Sequence, residues 1–555
     1  MTPSVTMRNF LKVHPDDDML VALISHSRGD TVQVNGQSLT LIEDIPAKHK
    51  VILRDVEAGD HLTMYGITVA RANRQLHAGQ LLTVNNVTHA TDQPIKSDNV
   101  VSWQPPDVSR WQNRTFLGYP RVGHRAGTRN YWVVIPMVFC ENRNLKVMRE
   151  AMIKELGYAI GDGYQQFTRS LVQKYQNGSE APKILETTFE LSHDRQHQPR
   201  VFPHVDGVKF LTHEGGCGEA YSDSGNLCGL LAGYVVHPNV AGATVLSLGC
   251  QKAQLKDLEQ QIHVRDPNFN KPLLIFEQQQ MPSEQSLISE AIKQTFAGLI
   301  QADRFRREPV PLDQLVVGME CGGSDGFSGI SANPAVGHCS DLVVALGGTV
   351  ILSEFPELAG CENELAGRCA TDKTAARFLQ LMQDYEKRLA LEGNGFDSNP
   401  SPGNIRDGLI TDAIKSAGAA KKGGRSPVVD VLDYPEPVRQ PGLNLLCTPG
   451  GDVESTSAMA GSGANVMFFT TGLGTPTGNP VCPVLKISSN TELAEKLPDL
   501  IDGNAGEIVK GDKTITEIGE QFLELLIRTA SGEHQTCAER LGQDDFIPWK
   551  RSLTF

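Results

Sequence analysis

No stretch of this chain approaches the ~18 uninterrupted apolar residues that a membrane-crossing helix requires. The first residues, MTPSVTMRNFLKVHPDDD, lack the apolar core of a secretory signal, so the sequence predicts a cytoplasmic protein without a membrane partner. No run of Lys and Arg is longer than a pair such as Lys421-Lys422, and the net charge is −14. That balance argues against nucleic acid or an anionic surface as the main partner. It leaves room for small anionic substrates, because a local pocket can be basic on an acidic protein. No C-x-x-C occurs, and the 11 cysteines show no tight disulfide spacing. Such cysteines read as reduced thiols, metal ligands or core residues.

Four cysteines stand where apolar, strand-like runs stop: Cys140 after WVVIPMVF, Cys217 in GVKFLTHEGGC, Cys250 after ATVLSLG and Cys321 after LVVGME. The last three lie in or against glycine-rich loops. Strand, loop and helix in that order make the βα unit of an open α/β sheet, which binds ligands beyond the carboxyl ends of its strands. If the strands are parallel, the four sulfurs face one crevice and suit a soft metal or an iron–sulfur cluster. The competing reading is that Cys is a small hydrophobe suited to buried strand ends.

At 555 residues the chain should hold roughly three to four domains of ~150 residues. Residues 1–90 read as a small β-clip or barrel-like domain: short alternating runs (TVQV, SLTLI, KVIL) separated by turns such as Asn35-Gly36. Within it VEAG before HLT and LHAG before LLT echo each other. Residues 91–115, rich in Pro, Asp and Ser, read as a linker. Residues 116–308 and 309–555 alternate strand and helix and are expected to form two α/β domains with mainly parallel sheets. Residues 162–203 read as a surface excursion and 394–424 as a long loop-rich stretch. Residues 515–529 carry the spacing of an amphipathic helix.

Polar chemistry concentrates in three loops. ECGGSDGFSG, residues 320–329, places side-chain ligands between glycines that let a backbone approach a ligand. RAGTRNY, residues 125–131, offers arginines that could grip a carboxylate or pair with a neighbouring acid. TTGLGTPTG, residues 470–478, superficially suggests a dinucleotide loop, but Pro476 and the absence of a following helical run favour a hydroxyl-lined substrate loop. His14 in HPDDD and His49 in PAKHK are metal-ligand or general-base types, or ordinary surface histidines.

Read together, GTRNYWVV, GCG, HPNVAGATVLSLGCQKAQ, ECGGSDGFSGISANPAVG, SEFPE, NPSPGN and TTGLGTPTG resemble the altronate and galactarate dehydratases, sugar-acid hydro-lyases related to sulfolactate sulfo-lyase. The resemblance runs almost end to end, and GLNLLCTPG and VVDVLDY lie nearer the altronate branch. It implies that the β domain is SAF-like and that the activity is dehydration of D-altronate to 2-keto-3-deoxy-D-gluconate, a step in hexuronate degradation. It implies Fe2+ or Mn2+, with an iron–sulfur cluster as the alternative, a small sugar-acid partner, and room for a homo-oligomer. The metal ligands expected are Cys140, Cys217, Cys250 and Cys321, with His14 and His49 as the alternative. Arg129, Asn130, Ser324, Asp325, Asn333 and Asn404 are expected to hold the substrate. His49, His213, Glu354 and Glu357 are the candidates for acid–base work; His49 in that role requires the β domain to cap the α/β crevice. One departure is the stretch 81–86, LLTVNN, without the histidines that family members often carry there. Galactarate dehydration, sulfolactate cleavage and non-catalytic sugar-acid binding are the competing readings.

Overall fold

The computed structural model describes residues 9–34, 37–92, 103–123, 125–161, 163–189 and 199–552. The Asn35-Gly36 turn, residues 93–102 of the linker and parts of the 162–203 stretch lie outside these.

The β domain is built from one turn used four times. HSRGD (26–30), IPAKH (45–49), VEAGD (56–60) and LHAGQ (76–80) take equivalent conformations, and they pair across the domain through the antiparallel bridges His26–Ile45 and Val56–Leu76. The two echoed segments therefore face each other. Each turn needs a left-handed residue at its fourth position. Three copies use Gly29, Gly59 and Gly79, and the remaining copy uses Lys48 at φ 74°. A side chain there is costly and calls for a reason.

The next region forms a four-stranded parallel sheet from β1 (Tyr131–Pro136), β2 (Gly207–Phe210), β3 (Val240–Ser247) and β4 (Leu273–Glu277), in the order β2-β1-β3-β4. β1 and β3 are buried at every residue, as expected for strands covered on both faces. Helix α1 (Tyr221–Val236) joins β2 to β3. The described part of the 162–203 stretch carries two helices without buried residues, Gly163–Gln176 and Ala181–Leu185, where an irregular excursion was expected.

The C-terminal region holds a seven-stranded parallel sheet: β5 (Val316–Cys321), β6 (Thr349–Leu352), β7 (Val428–Leu432), β8 (Gly442–Leu446), β9 (Val466–Thr471), β10 (Val484–Ser488) and β11 (Gly503–Asn504), ordered β7-β8-β6-β5-β9-β10-β11. Helix α2 (Ala332–Ala345) follows β5. The 394–424 stretch, expected to be loop, contains helix α3 (Asp412–Ala420), capped by the Thr411 hydroxyl and almost wholly buried. Its Gly, Ala and Ser residues imitate a loop composition. They are small because the backbone passes close to a neighbour, with Gly418 packed against Gly329. Helix α4 (Asp452–Ser462) joins β8 to β9 and meets α1 of the preceding domain. A Cβ on Gly233 would lie 2.1 Å from the Gly461 carbonyl, so these helices touch backbone to backbone and one apolar core spans both domains. Helix α5 (Ile515–Ala530) begins at a Thr514–Glu517 capping box and packs on α2. Among the described residues no helix is long and apolar enough to cross a membrane.

Candidate active site

In the seven-stranded sheet the chain leaves β5 toward β6 on one side, and β9 lies on the other. The carboxyl end of β5 is therefore the switch point at which open α/β sheets form a crevice. Glu320 and Cys321 end β5 there. Glu354 and Glu357 follow β6, Asp452 opens α4, and Lys415 and Lys422 come from α3 and the turn after it.

These groups form a buried charge network. Lys422 Nζ lies 2.6 Å from Glu354 Oε2, and Lys415 Nζ lies 2.6 Å from Glu357 Oε1. The Cys321 amide donates to Glu354 Oε2 at 3.2 Å and its thiol to Glu357 Oε2 at 3.0 Å. Ser455 donates to Glu320 Oε2 at 2.6 Å. Burial first, and Glu354 second, push the Glu320 carboxyl well above its usual range. Burial also raises Glu354, with Lys422 working against it. Burial opposes ionisation of Glu357, yet Lys415 and then Lys422 hold it below the usual value. Burial, with Glu354 and Glu357 nearby, moves Asp452 up to about 7. Burial brings Lys486 down to about 7; its ammonium sits 3.7 Å from the Phe469 ring centroid.

Two sets of side chains have ligand atoms within 4.8 Å of one another: Glu320, Glu354 and Asp452, and Cys321, Glu354 and Glu357. Among the described residues Glu320 Oε1 and Glu354 Oε1 are buried without a hydrogen-bond partner. Buried polar atoms seldom stay unsatisfied. Glu354 itself sits in the left-handed region at φ 64°, a strained conformation that aims its carboxylate into the cluster.

The β domain closes over this end of the sheet. Lys48 Nζ bonds Asp325 Oδ2 at 3.1 Å and Asp407 Oδ1 at 3.0 Å, and buried Lys50 donates to the Gly408 carbonyl at 2.6 Å. A Cβ on Gly326 would fall 2.3 Å from the Lys48 carbonyl, so the hairpin lies directly on the ECGGSDG loop. His49 is half-buried on this hairpin, with Nδ1 3.1 Å from the Ala47 carbonyl. Burial, with a smaller push from Lys50, lowers its pKa.

The expected site residues separate into groups. Asp325, Ser324, Asn333, Asn404, Glu354, Glu357, Cys321 and His49 gather around the β5 end or the docked hairpin. Asn404 donates to the Ser324 carbonyl at 2.7 Å, and Asn333 accepts from Thr470 at 2.6 Å. Asp325 is wholly buried and accepts from Phe327, Ser328 and Ser489 as well as Lys48, so it organises the loop.

Arg129 and Asn130 stand instead at the amino end of β1. Arg129 makes a two-pronged pair with Glu539 at 2.6 and 2.9 Å, and its remaining donors reach carbonyls of Thr128 and Thr529. Although burial works against ionisation, Arg129 holds Glu539 at about 2. Asn130 is tied to Asp206, His204 and Ala302. His213 has both ring nitrogens engaged, with the Pro136 carbonyl at 2.7 Å and the Gly215 amide at 3.1 Å, and burial lowers it to about 4. His14 belongs to a hydrogen-bonded turn around Asp17 and stands in neither ligand set. Cys140, Cys217 and Cys250 follow strands of the four-stranded sheet, whereas Cys321 ends a strand of the seven-stranded one.

Glu320, Lys415, Lys422, Asp452 and Lys486 were not among the expected site residues. A signal for two of them was present: Glu320 and Lys486 interrupt apolar strand runs, VVGMEC and VLKIS, whose neighbours are buried on both faces.

Comparison with known proteins covers nearly the whole chain. Family models described as the altronate/galactarate dehydratase SAF domain, the D-galactarate dehydratase/altronate hydrolase second domain, and the D-galactarate/altronate dehydratase C-terminal domain match residues 8–90, 118–303 and 312–554. The altronate dehydratase of Bacillus subtilis (strain 168) is 32% identical, covering 95% of this chain and 96% of its own. The altronate dehydratase of Escherichia coli (strain K12) is 33% identical over 98% and 99%. The L-threo-forming galactarate dehydratase of the same strain is 30% identical over 96% and 95%. With the buried carboxylate–lysine cluster inside the matched C-terminal domain, the chain belongs to the altronate/galactarate dehydratase family of hydro-lyases.

Proposed function

We propose that the protein dehydrates a sugar acid, D-altronate, to 2-keto-3-deoxy-D-gluconate and water. The observation that carries the reading is the buried carboxylate–lysine cluster at the β5 switch point, under the Lys48–Lys50 hairpin. The names of the two altronate dehydratases, each aligned over at least 95% of this chain, support the substrate.

The elimination removes a weakly acidic C2 proton and expels the C3 hydroxyl, so it needs charge stabilisation, a base and an acid. Glu320, Glu354 and Asp452 fit a divalent cation: their oxygen donors suit Fe2+ or Mn2+, and the partnerless oxygens of Glu320 and Glu354 are among them. Such an ion would act as a Lewis acid on the developing enediolate. Lys415 and Lys422 hold Glu357 below its usual range, and Lys422 works against the burial that raises Glu354. His49, lowered by burial, is a neutral imidazole near pH 7 and fits the base at C2. Lys486, brought to about 7, retains a proton to give the departing hydroxyl.

The test is keto-acid formation from D-altronate, galactarate and sulfolactate side by side, without oxygen and with added Fe2+ or Mn2+. Turnover of D-altronate well above the other two, with loss in Glu320→Gln and Asp452→Asn, is expected. Preference for galactarate or sulfolactate would overturn the substrate. No product from any of the three would favour a binding protein.

A further inference from the structure

Of the 11 cysteines, seven are buried and one is partly buried; the three that are exposed are Cys140, Cys217 and Cys250. Packing therefore accounts for the others and not for these. They follow β1, β2 and β3, which are neighbours in one parallel sheet. Their loops are fastened together. The Phe139 amide donates to the Gly215 carbonyl at 3.0 Å, and the Lys252 and Ala253 amides donate to the Gly216 carbonyl at 2.9 and 3.1 Å. Gly216 has φ 102°, and a Cβ there would lie 2.2 Å from the Met137 carbonyl. The Cys217 loop is thus wedged between the loops bearing Cys140 and Cys250. Glu219 pins it from below, accepting from the Gly216 amide at 2.7 Å, and His213 ties it to the end of β1.

Three exposed cysteines on one rim are open to oxidation and to a ligand alike. Among the described residues none of the three sulfurs has a hydrogen-bond partner. They do not all lie within 4.8 Å of one another. The sulfurs around a single tetrahedral ion, with metal–sulfur bonds of about 2.3 Å, would lie closer than that. A cluster attaches each thiolate to a different iron and spans a wider triangle.

We propose that Cys140, Cys217 and Cys250 hold an iron–sulfur cluster by three thiolates, leaving one iron without a protein ligand. Cys321, its sulfur on Glu357, ends a strand of the other sheet and is not one of these ligands. The proposal does not depend on the substrate assigned above.

The experiment uses full-length protein purified without oxygen, or reconstituted with ferrous iron and sulfide. Iron and acid-labile sulfide are measured together with visible absorption before and after dithionite. Expected are equal amounts of iron and sulfide and a band that bleaches on reduction, lost in Cys140→Ser, Cys217→Ser and Cys250→Ser and kept in Cys321→Ser. In the parent protein, loading should also protect these three cysteines from iodoacetamide, read by peptide mass; this needs no variant to fold. Iron without sulfide, no iron uptake, a cluster that survives the triple variant, or loading that leaves the three thiols alkylated would each overturn the proposal.

Discussion

Replacing Lys422 by Met removes one cation from the centre of the cluster while keeping most of its volume. Its side chain is 1% exposed and its ammonium lies 2.6 Å from Glu354 Oε2. At an effective dielectric of about 20 that contact is worth about 6 kcal/mol of attraction, most of it offset by the cost of burying both charges. Removing one partner leaves the other buried and unpaired, so the variant should lose about 3–5 kcal/mol in metal-free protein. The loss must depend on pH. Glu354 and Glu320 already have raised pKa values, and without Lys422 they rise further. A carboxyl with a raised folded-state pKa binds more protons folded than unfolded, so its cost appears as pH climbs above the ordinary carboxyl value near ~4.3. Urea unfolding midpoints at pH 5.5 and pH 8 measure this. The gap between variant and parent should be wider at pH 8. Adding Glu354→Gln should recover much of it, since removing both partners costs less than removing one. An equal gap at both pH values, or no recovery in the double variant, would refute the placement of an ionised Lys422–Glu354 pair in the core.

Gly326→Ala should clash with the Lys48 carbonyl and lift the hairpin, lowering kcat/KM for the sugar acid severely while the C-terminal core keeps its unfolding midpoint. Arg129→Met should cost about 3–5 kcal/mol by stranding Glu539, with KM unchanged in whatever folded protein remains; a raised KM would return Arg129 to substrate binding. His213, held neutral at about 4 by burial, gives stability that is complete above pH ~6.5 and is lost as pH falls toward 4. His213→Gln should flatten thermal midpoints between pH 6.5 and 4.5, and a steep decline retained in that variant would contradict the assignment.

Much of the architecture could be read before the structure because it rests on local signals. Apolar runs buried on both faces mark the parallel strands, and each stops at a polar loop that proves to be a sheet's carboxyl end. The echo between VEAG and LHAG marks two copies of a turn that pair with each other. Charge partners far apart in sequence were not legible. Arg129 looked available for a substrate because Glu539 lies 410 residues on, and Lys422 finds Glu354 68 residues back. Helix α3 was hidden because small residues chosen for close packing share their composition with loops. The four cysteines were grouped by a property they do share, the strand end. Which sheet each strand joins depends on pairings between distant segments.

Lys48 remains, the side chain in a turn where the sister copies carry glycine. A left-handed lysine costs ~1–2 kcal/mol that a glycine would not. The β domain is therefore less stable than its own repeat pattern allows, and the deficit is recovered only when Lys48 reaches Asp325 and Asp407. This makes the turn a latch with a built-in bias. Detached, the domain carries the strain uncompensated; seated, it keeps the strain and two ion pairs offset it. Lys48→Gly should thus yield a chain whose small domain resists unfolding better and whose reaction chamber is left ajar.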